Sequence, residues 1–266
     1  MFRTKERIEA KSPEQLELMR AAGLVVAGAL ERVRAAIAPG VTTADLDAIA
    51  EEHIRAAGAV PSFKGYHGFP ATICASVNDE IVHGIPGDRR LHDGDLVSVD
   101  CGAILAGWHG DAAFTAPVGE VDPELLELVR VTEDALWAGI AAMAVGGRLS
   151  DIGHAVEQAV RTAGDYGIVE EYVGHGIGVE MHMDPQVPNF GRPGRGPRLV
   201  QGTVLAIEPM VNHGTRHTRL LEDGWTVVTH DGTHSAHFEH TVALRSSGPW
   251  VLTAPDGGAA RLAVAG

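Results

Sequence analysis

Hydrophobic residues recur at helical spacing in four stretches of the chain, and these stretches form two pairs. Each stretch opens with a helix-capping pattern, and the four openings are Ser12-Pro13, Thr42-Thr43, Asp122-Pro123 and Ser150-Asp151. Each stretch is followed by glycine, as is typical of helix ends. The pattern therefore predicts one helix pair before residue 59 and a second pair between residues 122 and 164.

Strand-like runs and glycine-rich loops fill much of the remaining chain. Residues 71–77 form one short strand-like run, residues 96–115 read as a hairpin, and residues 172–252 read as strands and loops. The order of helix pair, strands, helix pair, strands predicts one pseudo-symmetric α+β domain over residues 12–252. We expect residues 1–11 to be a polar lead-in and residues 253–266 to be a loose tail.

Composition narrows the function classes. The chain has 266 residues, of which 45% are hydrophobic and 21% charged, as in ordinary globular proteins. Its net charge of −14 argues against DNA or RNA binding as the main role, and against a polybasic membrane contact. No apolar run reaches the roughly 18 residues of a membrane span, and no secretory signal opens the chain. With two cysteines and no CxxC pair, we expect a cytoplasmic protein without disulfides.

Two aspartates lie inside the predicted hairpin of residues 96–115. A turn near Leu105-Ala106 would place Asp100 and Asp111 roughly opposite each other on one face, or diagonally if the hairpin carries a bulge. Facing carboxylates repel each other, and this stretch contains no Lys or Arg, so a metal ion is the candidate counter-charge. Surface aspartates beside a turn are the alternative explanation.

Three later segments add residue types that divalent metals bind. His175 lies between two glycines, and His182 follows seven residues later. Glu208 ends an apolar strand immediately before a proline, and Glu239 interrupts another strand. With Asp100 and Asp111, these residues form an oxygen-rich set with one nitrogen donor, which suits two adjacent ions such as Mn, Fe or Co. Each residue alone has an ordinary structural explanation, but their combination favours a metal centre.

Seven segments occur in the order found in one known family: YHGFP, VNDEIVHGIP, SVDCG, HGDAAFT, VGHGIGVEMH, AIEPM and FEHT. Through them the chain resembles the type I methionine aminopeptidases over about residues 12–250. The resemblance implies the pita-bread fold, a curved antiparallel sheet with two helix pairs on its outer face. It also implies metal-dependent removal of the N-terminal methionine from nascent proteins and peptides, with a small second residue favoured.

The resemblance also assigns roles to individual residues. It implies that two divalent ions (Co, Mn, Fe, Zn or Ni) are held by Asp100, Asp111, His175, Glu208 and Glu239. Asp111 and Glu239 would bridge the ions, and Glu208 would move a proton from the attacking water to the leaving amine. His182 would bind the substrate's carbonyl or leaving nitrogen. His83 would contact the substrate near the scissile bond, although an exposed loop histidine is the alternative.

A pocket for the methionine side chain is implied in the same way. The matching positions are apolar, aromatic or soft, and they are Tyr66, Phe69, Cys74, Met181 and Trp225. Ordinary core packing is the alternative for each. Asn78 and Ser235 match positions where relatives bind one monovalent cation, whereas Cys101 should point to the opposite face and serve packing.

Departures from related enzymes narrow the class. The sequence has no zinc-binding cysteine extension, no large insertion between His182 and Glu208 as in type II enzymes, and no preceding domain as in prolidases. Met181 occupies a position that is aromatic in some members. A hydrolase of the same fold that cuts before proline, and a metal-free binding protein of that fold, remain as alternatives.

A basic loop suggests one macromolecular partner besides the substrate. Arg192, Arg195 and Arg198 could dock transiently on ribosomal RNA, and a solvated loop is the alternative explanation. The similarity to known relatives suggests a monomer.

Overall fold

The computed structural model describes residues 8–263, and residues 1–7 of the expected lead-in lie outside this range, as do residues 264–266. Its helices are α1 (Pro13–Ala36), α2 (Thr43–Ala56), α3 (Pro123–Ala141), α4 (Leu149–Ala163) and the short α5 (Ala259–Leu262). A single 3₁₀ turn covers Tyr66–Gly68. Among the helices of the described residues, none is both long enough and apolar enough to cross a membrane.

The capping patterns place three of the four long helices correctly. Ser12, Thr42 and Asp122 are the N-caps of α1, α2 and α3, because each side chain accepts a hydrogen bond from an N–H of the first turn. Helix α4 begins two residues earlier than a Ser150 N-cap predicts. The Ser150 hydroxyl accepts the N–H of Arg195 instead of capping the helix, so α4 begins at Leu149.

The described residues form fifteen β-strands. In chain order they are β1 (Val60–Pro61), β2 (Ile73–Val77), β3 (Glu80–Val82), β4 (Leu96–Leu105), β5 (Trp108–Pro117), β6 (Gly167–Ile168), β7 (Gly174–Gly176), β8 (Met183–Val187), β9 (Val204–Ile207), β10 (Met210–Asn212), β11 (Thr218–Leu220), β12 (Val227–Thr229), β13 (Ser235–His237), β14 (Glu239–Arg245) and β15 (Gly248–Val251). Nine of them form one sheet in the order β1-β4-β5-β14-β9-β7-β8, with β2 beside β4 and β15 beside β14. The remaining strands form two three-stranded sheets, β13-β10-β6 and β11-β12-β3.

The hairpin of β4 and β5 turns one residue later than the sequence pattern predicts. Ala106 and Gly107 both have positive φ, at 50° and 80°, and they form the two-residue connection. The register therefore pairs Asp100 with Ala113 and Gly102 with Asp111. The two aspartates lie on the same face but diagonally, and no bulge is needed to produce this arrangement.

The helices cover one face of the large sheet and leave the other to the functional residues. Helix α1 crosses β5 so closely that a Cβ on Gly110 would lie 2.8 Å from the Cα of Gly23. On the same covered face, His240 of β14 packs edge-on against Trp137 of α3, with ring centroids 5.3 Å apart. Cys101 is fully buried in the core between the helices and the sheet, as expected for a packing residue.

The described parts of the two chain ends, residues 8–11 and 253–263, make hydrogen bonds to the rest of the domain. The guanidinium of Arg20 on α1 donates to the carbonyls of Val251, Leu252, Ala254 and Pro255. Residues 251–255 are thereby held against α1, and Thr253 is buried. At the other end, the backbone N–H of Lys11 donates to the carbonyl of Gly202. Hydrogen bonds to backbone carbonyls create these attachments, and such bonds leave no hydrophobic periodicity in the sequence.

Candidate metal centre

A row of residues crosses five strands on the uncovered face of the large sheet. Asp100 of β4 pairs with Cys74 of β2 on one side and with Ala113 of β5 on the other. Ala113 in turn pairs with Glu239 of β14. Extending the register of β14 and β9 by one residue places Glu208 opposite Glu239. Residues paired across adjacent strands share a face, so three carboxylates and one thiol lie side by side.

A second row lies two residues further along the same strands. The hydroxyl of Thr241 on β14 accepts the N–H of Asp111 at 3.0 Å and donates to its carbonyl at 2.8 Å. Thr241 pairs with Ala206 of β9, and Ala206 pairs with His175 of β7. The two rows bring the five predicted ligands onto one face, although they are up to 139 positions apart in sequence (from 100 to 239).

Several oxygens of this cluster have the properties of metal ligands. Ligand atoms of Asp111, His175 and Glu239 lie within 4.8 Å of one another. Across residues 8–263, no hydrogen-bond partner reaches the buried Oδ1 atoms of Asp100 and Asp111 or the buried Oε1 of Glu239. Buried polar atoms are normally satisfied, so three orphaned carboxylate oxygens in one place indicate a bound cation. The residues present therefore fit a divalent metal.

Electrostatics supports the same conclusion. Burial raises the pKa of Asp100 to about 7. Burial and repulsion from the neighbouring carboxylates raise the pKa of Asp111, Glu208 and Glu239 well above the ordinary range. Such a cluster resists full ionisation unless positive charge lies among its members, and divalent ions supply that charge.

His175 is oriented to serve as the nitrogen ligand. Its Nδ1 lies 2.9 Å from the carbonyl oxygen of Gly176, which can only accept, so Nδ1 carries the proton. The lone pair on Nε2 is then free for a metal, and Nε2 lies 3.4 Å from Glu208 Oε1. Burial and repulsion from His182 lower the pKa of His175 to about 4, which keeps the ring neutral.

The other two predicted histidines lie beside this cluster. The ring of His182 is 4.4 Å from that of His175, and its Nδ1 is 2.9 Å from the Tyr66 hydroxyl. His83 follows β3 with a positive φ of 62° and packs edge-on against Tyr172 at 5.7 Å. Burial and repulsion from His182 lower the pKa of His83 to about 4. His83 is therefore a neutral histidine of the cleft and not the exposed loop residue considered as its alternative.

All five predicted pocket positions fall in one apolar cluster. Its members share buried or half-buried apolar surface, and they are Phe63, Tyr66, Phe69, Ala71, Cys74, Ile85, Met181 and Trp225. Phe69 and Trp225 meet edge-to-face with ring centroids 5.1 Å apart. Because Cys74 pairs with Asp100, this cluster adjoins the carboxylates directly.

The sequence pattern missed two histidines of this region. His109 precedes Asp111 by two residues, and its Nδ1 is 3.0 Å from the Ser62 hydroxyl. His237 precedes Glu239 by two residues, and its Nε2 lies 3.9 Å from Glu208 Oε2. For His109 the two-residue spacing was the available signal, because residues i and i+2 of one strand share a face, whereas His237 and Glu239 lie on different strands, β13 and β14. Both rings are neutral, since burial lowers the pKa of His109 to about 4 and that of His237 to about 3.

Comparison with known proteins identifies the family. The sequence profile of metallopeptidase family M24 matches residues 17–246. The chain belongs to this family. Methionine aminopeptidase 1 of Mycobacterium tuberculosis is 54% identical to the chain over 258 residues, which cover 95% of this chain and 97% of the relative. The methionine aminopeptidase of Clostridium acetobutylicum is 53% identical over 244 residues, with 91% and 97% covered.

Solved structures agree with the family assignment. The methionine aminopeptidase from Thermotoga maritima matches with a TM-score of 0.91 at 45% identity, covering 93% of this chain and 99% of that chain. Prolidase from Pyrococcus furiosus shares the fold, with a TM-score of 0.74 at 22% identity over 92% of this chain and 65% of that chain. The resemblance to the type I methionine aminopeptidases and the α+β pita-bread fold are therefore confirmed.

The raised carboxylate pKa values of this metallopeptidase predict a pH-dependent stability. Towards about pH 8 the histidines of the unfolded chain are largely neutral, and burial lowers the pKa of the site histidines so that they are neutral in the folded protein; the carboxylates therefore decide the sign there. The folded metal-free protein holds carboxyl protons that the unfolded chain has already released, so its melting temperature should fall between pH 7 and 8.5. Adding Mn²⁺ at pH 7 should displace those protons and restore stability. Calorimetry in two buffers of different ionisation enthalpy measures the proton release.

The Asp111→Asn variant is the control for this prediction. Because it removes one of the coupled carboxylates, its melting temperature should depend less on pH over the same range. Metal binding at pH 7 without proton release would contradict the raised pKa values.

Proposed function

We propose that this chain removes the N-terminal methionine from nascent proteins and peptides by metal-dependent hydrolysis. One observation carries the proposal. Four carboxylates and one neutral imidazole converge on one sheet face, with three buried oxygens lacking partners among residues 8–263, next to an apolar pocket. The family and the activity named for its close relatives agree with this assignment.

We infer that the centre holds two divalent ions. Asp100, Asp111, Glu208 and Glu239 carry four negative charges when ionised, which two divalent ions balance. Asp111 and Glu239 lie in adjacent rows of this sheet face and would be the ligands that the two ions share. An oxygen-rich set with one imidazole suits Mn, Fe or Co, and Zn or Ni can also bind it. When bound, such ions polarise the scissile carbonyl and lower the pKa of water.

Proton transfer falls to Glu208 in this proposal. Glu208 directly follows β9 and precedes Pro209, and the side-chain amide of Asn189 donates to its backbone carbonyl at 3.1 Å. The Oε1 of Glu208 lies 3.4 Å from His175 Nε2, so the carboxylate lies in the cleft where the attacking water would be held and can accept and return a proton there. Glu208 would take the proton of the attacking water and pass it to the amine that leaves.

His182 and His83 would position the peptide. Burial and repulsion from Glu180 raise the pKa of Tyr66, so its hydroxyl stays protonated and can donate to His182 Nδ1. His182 Nε2 then carries a proton, which suits it to bind the substrate carbonyl. His83 is half-buried and its pKa is lowered to about 4, so it would be a neutral hydrogen-bonding group for the peptide near the scissile bond.

The methionine pocket yields a testable specificity. Trp225 is half-buried and packs against Phe69, so Trp225→Ala should remove apolar contact with the substrate side chain. We expect KM for Met-Ala-Ser to rise by about tenfold or more, with a smaller change in kcat. Trp250→Ala is the matched control, because Trp250 packs under Arg245 away from this cluster. Equal effects of the two substitutions would argue that the pocket lies elsewhere.

A peptide assay tests the function itself. Metal-stripped protein is expected to release methionine from Met-Ala-Ser only after Mn²⁺ or Co²⁺ is added. A confined site also predicts that Met-Gly, Met-Ala and Met-Ser starts are cleaved faster than Met-Leu or Met-Arg starts. Preferential cleavage of Ala-Pro starts would instead indicate a proline-directed hydrolase. Folded protein that cleaves no peptide with any divalent ion would favour a binding protein.

We also infer a transient ribosome contact for a monomer acting in the cytoplasm, where nascent chains emerge. Arg192, Arg195 and Arg198 are exposed on one loop, although the Arg198 guanidinium donates to the carbonyl of Gly146. The double variant Arg192→Glu/Arg195→Glu should reduce salt-sensitive co-pelleting with ribosomes. Arg32→Glu, an exposed arginine of α1, is the control, and equal pelleting of all three proteins would contradict the contact.

A monovalent cation near Asn78 and Ser235 is a further part of the proposal. Asn78 has a positive φ of 63°, and its carbonyl accepts the N–H of Ser235 at 2.9 Å. The Asn78 side chain bonds Asp95 and the N–H of Leu96, so the segment is fixed. Potassium should raise the melting temperature relative to tetramethylammonium at equal ionic strength, and an unchanged melting temperature would contradict the site.

A further inference from the structure

His237 lies against the metal centre without belonging to the predicted ligand set. Its backbone is fixed by Thr115, whose hydroxyl accepts the His237 N–H at 2.8 Å and donates to its carbonyl at 2.9 Å. The residue is only 1% exposed, so its ring is shielded from solvent. The position of this imidazole is therefore set by the packing of β13 against β5.

The ring points at Glu208. His237 Nε2 is 3.9 Å from Glu208 Oε2, and ligand-type atoms of Glu208, His237 and Glu239 lie within 4.8 Å of one another. In the part of the chain that the structure describes, the buried Nε2 has no hydrogen-bond partner. A buried nitrogen without a partner is rare and calls for a functional explanation.

Glu208 thus lies between two imidazoles with different orientations. Its Oε1 is 3.4 Å from His175 Nε2, whose lone pair is free because Nδ1 donates to a carbonyl. Its Oε2 faces His237 on the other side. A carboxylate that binds a cation through one oxygen is commonly held by a hydrogen-bond donor at the other oxygen. The 3.9 Å separation exceeds a hydrogen bond by roughly 1 Å, a gap that rotation of either side chain can close.

We propose that His237 is a positioning residue, whose Nε2–H donates to Glu208 Oε2 and thereby fixes which oxygen of Glu208 faces the metal centre. This inference rests on the proposed role of Glu208 as ligand and proton carrier. The topology supports a supporting role over direct ligation, because β13 belongs to the sheet β13-β10-β6, whereas the five ligands lie on the nine-stranded sheet or, for Glu208, directly at the end of one of its strands.

Two substitutions separate hydrogen bonding from packing. His237→Gln keeps a side-chain N–H donor, whereas His237→Leu keeps apolar volume but has no donor. Calorimetric titration of metal-stripped proteins with Mn²⁺ should show affinity about 10–100-fold weaker for the Leu variant and near-normal affinity for the Gln variant. With Met-Ala-Ser, kcat should fall in the Leu variant and recover in the Gln variant, while KM changes little in both.

A measurement on the unaltered protein covers the case in which a variant fails to fold. Pulsed electron paramagnetic resonance of the Mn²⁺-loaded protein counts coordinated imidazole nitrogens, and one is expected, from His175. Two coordinated imidazoles would overturn the positioning role in favour of direct ligation by His237.

Other outcomes overturn the inference without touching the proposed function. If the Leu variant binds Mn²⁺ and turns over like the unaltered protein, or if the Gln variant is as impaired as the Leu variant, the donor role is wrong. Methionine release by the unaltered protein would still stand in either case. If the unaltered protein releases no methionine, the proposed function fails, and the Mn²⁺ titrations still decide the role of His237.

Discussion

Replacing Glu208 by glutamine is expected to lower kcat for Met-Ala-Ser by about 10²–10⁴-fold, with a small change in KM. Glutamine has nearly the same shape but cannot take a proton from water or return one to the leaving amine. The protein should still fold, because the backbone carbonyl of residue 208 stays bonded to the Asn189 amide. Steady-state kinetics with excess Mn²⁺ measure the effect, so that any weaker metal binding is saturated.

The matched control for this prediction is Glu180→Gln. Glu180 is an exposed carboxylate at the mouth of the same cleft, close enough to raise the pKa of Tyr66. Its removal changes the local charge equally but takes away no proton carrier, so kcat should change by less than threefold, roughly the range of a surface electrostatic effect. A Glu208→Gln variant that turns over at the normal rate would show that another group carries the proton.

Replacing Asp111 by asparagine should abolish activity and weaken metal binding by more than about 100-fold, because Asp111 is proposed as a ligand that both ions share, and losing a ligand costs more than losing a group that only orients one. The same change should raise the melting temperature of the metal-free protein at pH 8. Asp111 is 3% exposed, and burial with repulsion from Glu239 and Asp100 makes its charge costly. Asparagine keeps the shape and removes that repulsion.

Calorimetry with Mn²⁺ and thermal denaturation without metal measure the two effects separately. Asp88→Asn, which neutralises an exposed carboxylate, is the control and should alter neither quantity. A stabilised but metal-free Asp111→Asn protein would show that function at this site is obtained at the expense of stability. Retention of both metal sites by the variant would contradict the bridging assignment.

Local sequence signals predicted the elements well because their causes are local. Ser12 and Gln15 form a reciprocal capping box, and so do Thr42 and Asp45, so the starts of α1 and α2 follow from neighbouring residues alone. The start of α4 lies two residues before the one predicted from Ser150, whose hydroxyl accepts the N–H of Arg195, 45 positions away. Long-range partners of that kind leave no mark on a local pattern.

The candidate ligands could also be chosen from sequence, but their arrangement could not. Burying a carboxylate in a strand costs free energy unless a cation or hydrogen bond compensates, so Asp100, Asp111, Glu208 and Glu239 stand out in the sequence as candidate ligands. The diagonal relation of the two aspartates depends on a turn at Ala106-Gly107. A turn displaced by one residue changes every cross-strand pair, and the sequence does not fix it that closely.

The sequence by itself therefore determined the α+β class and the helix starts at Ser12, Thr42 and Asp122. It also determined the family, because short segments of the chain carry the residues that the family's chemistry needs. Only the tertiary structure decided that two rows of one sheet carry the candidate ligands, that His237 faces Glu208, and that Arg20 binds the carbonyls of residues 251–255. Strand register and backbone hydrogen bonds join residues that are far apart in the chain, so these contacts are set by the complete tertiary structure and not by local sequence.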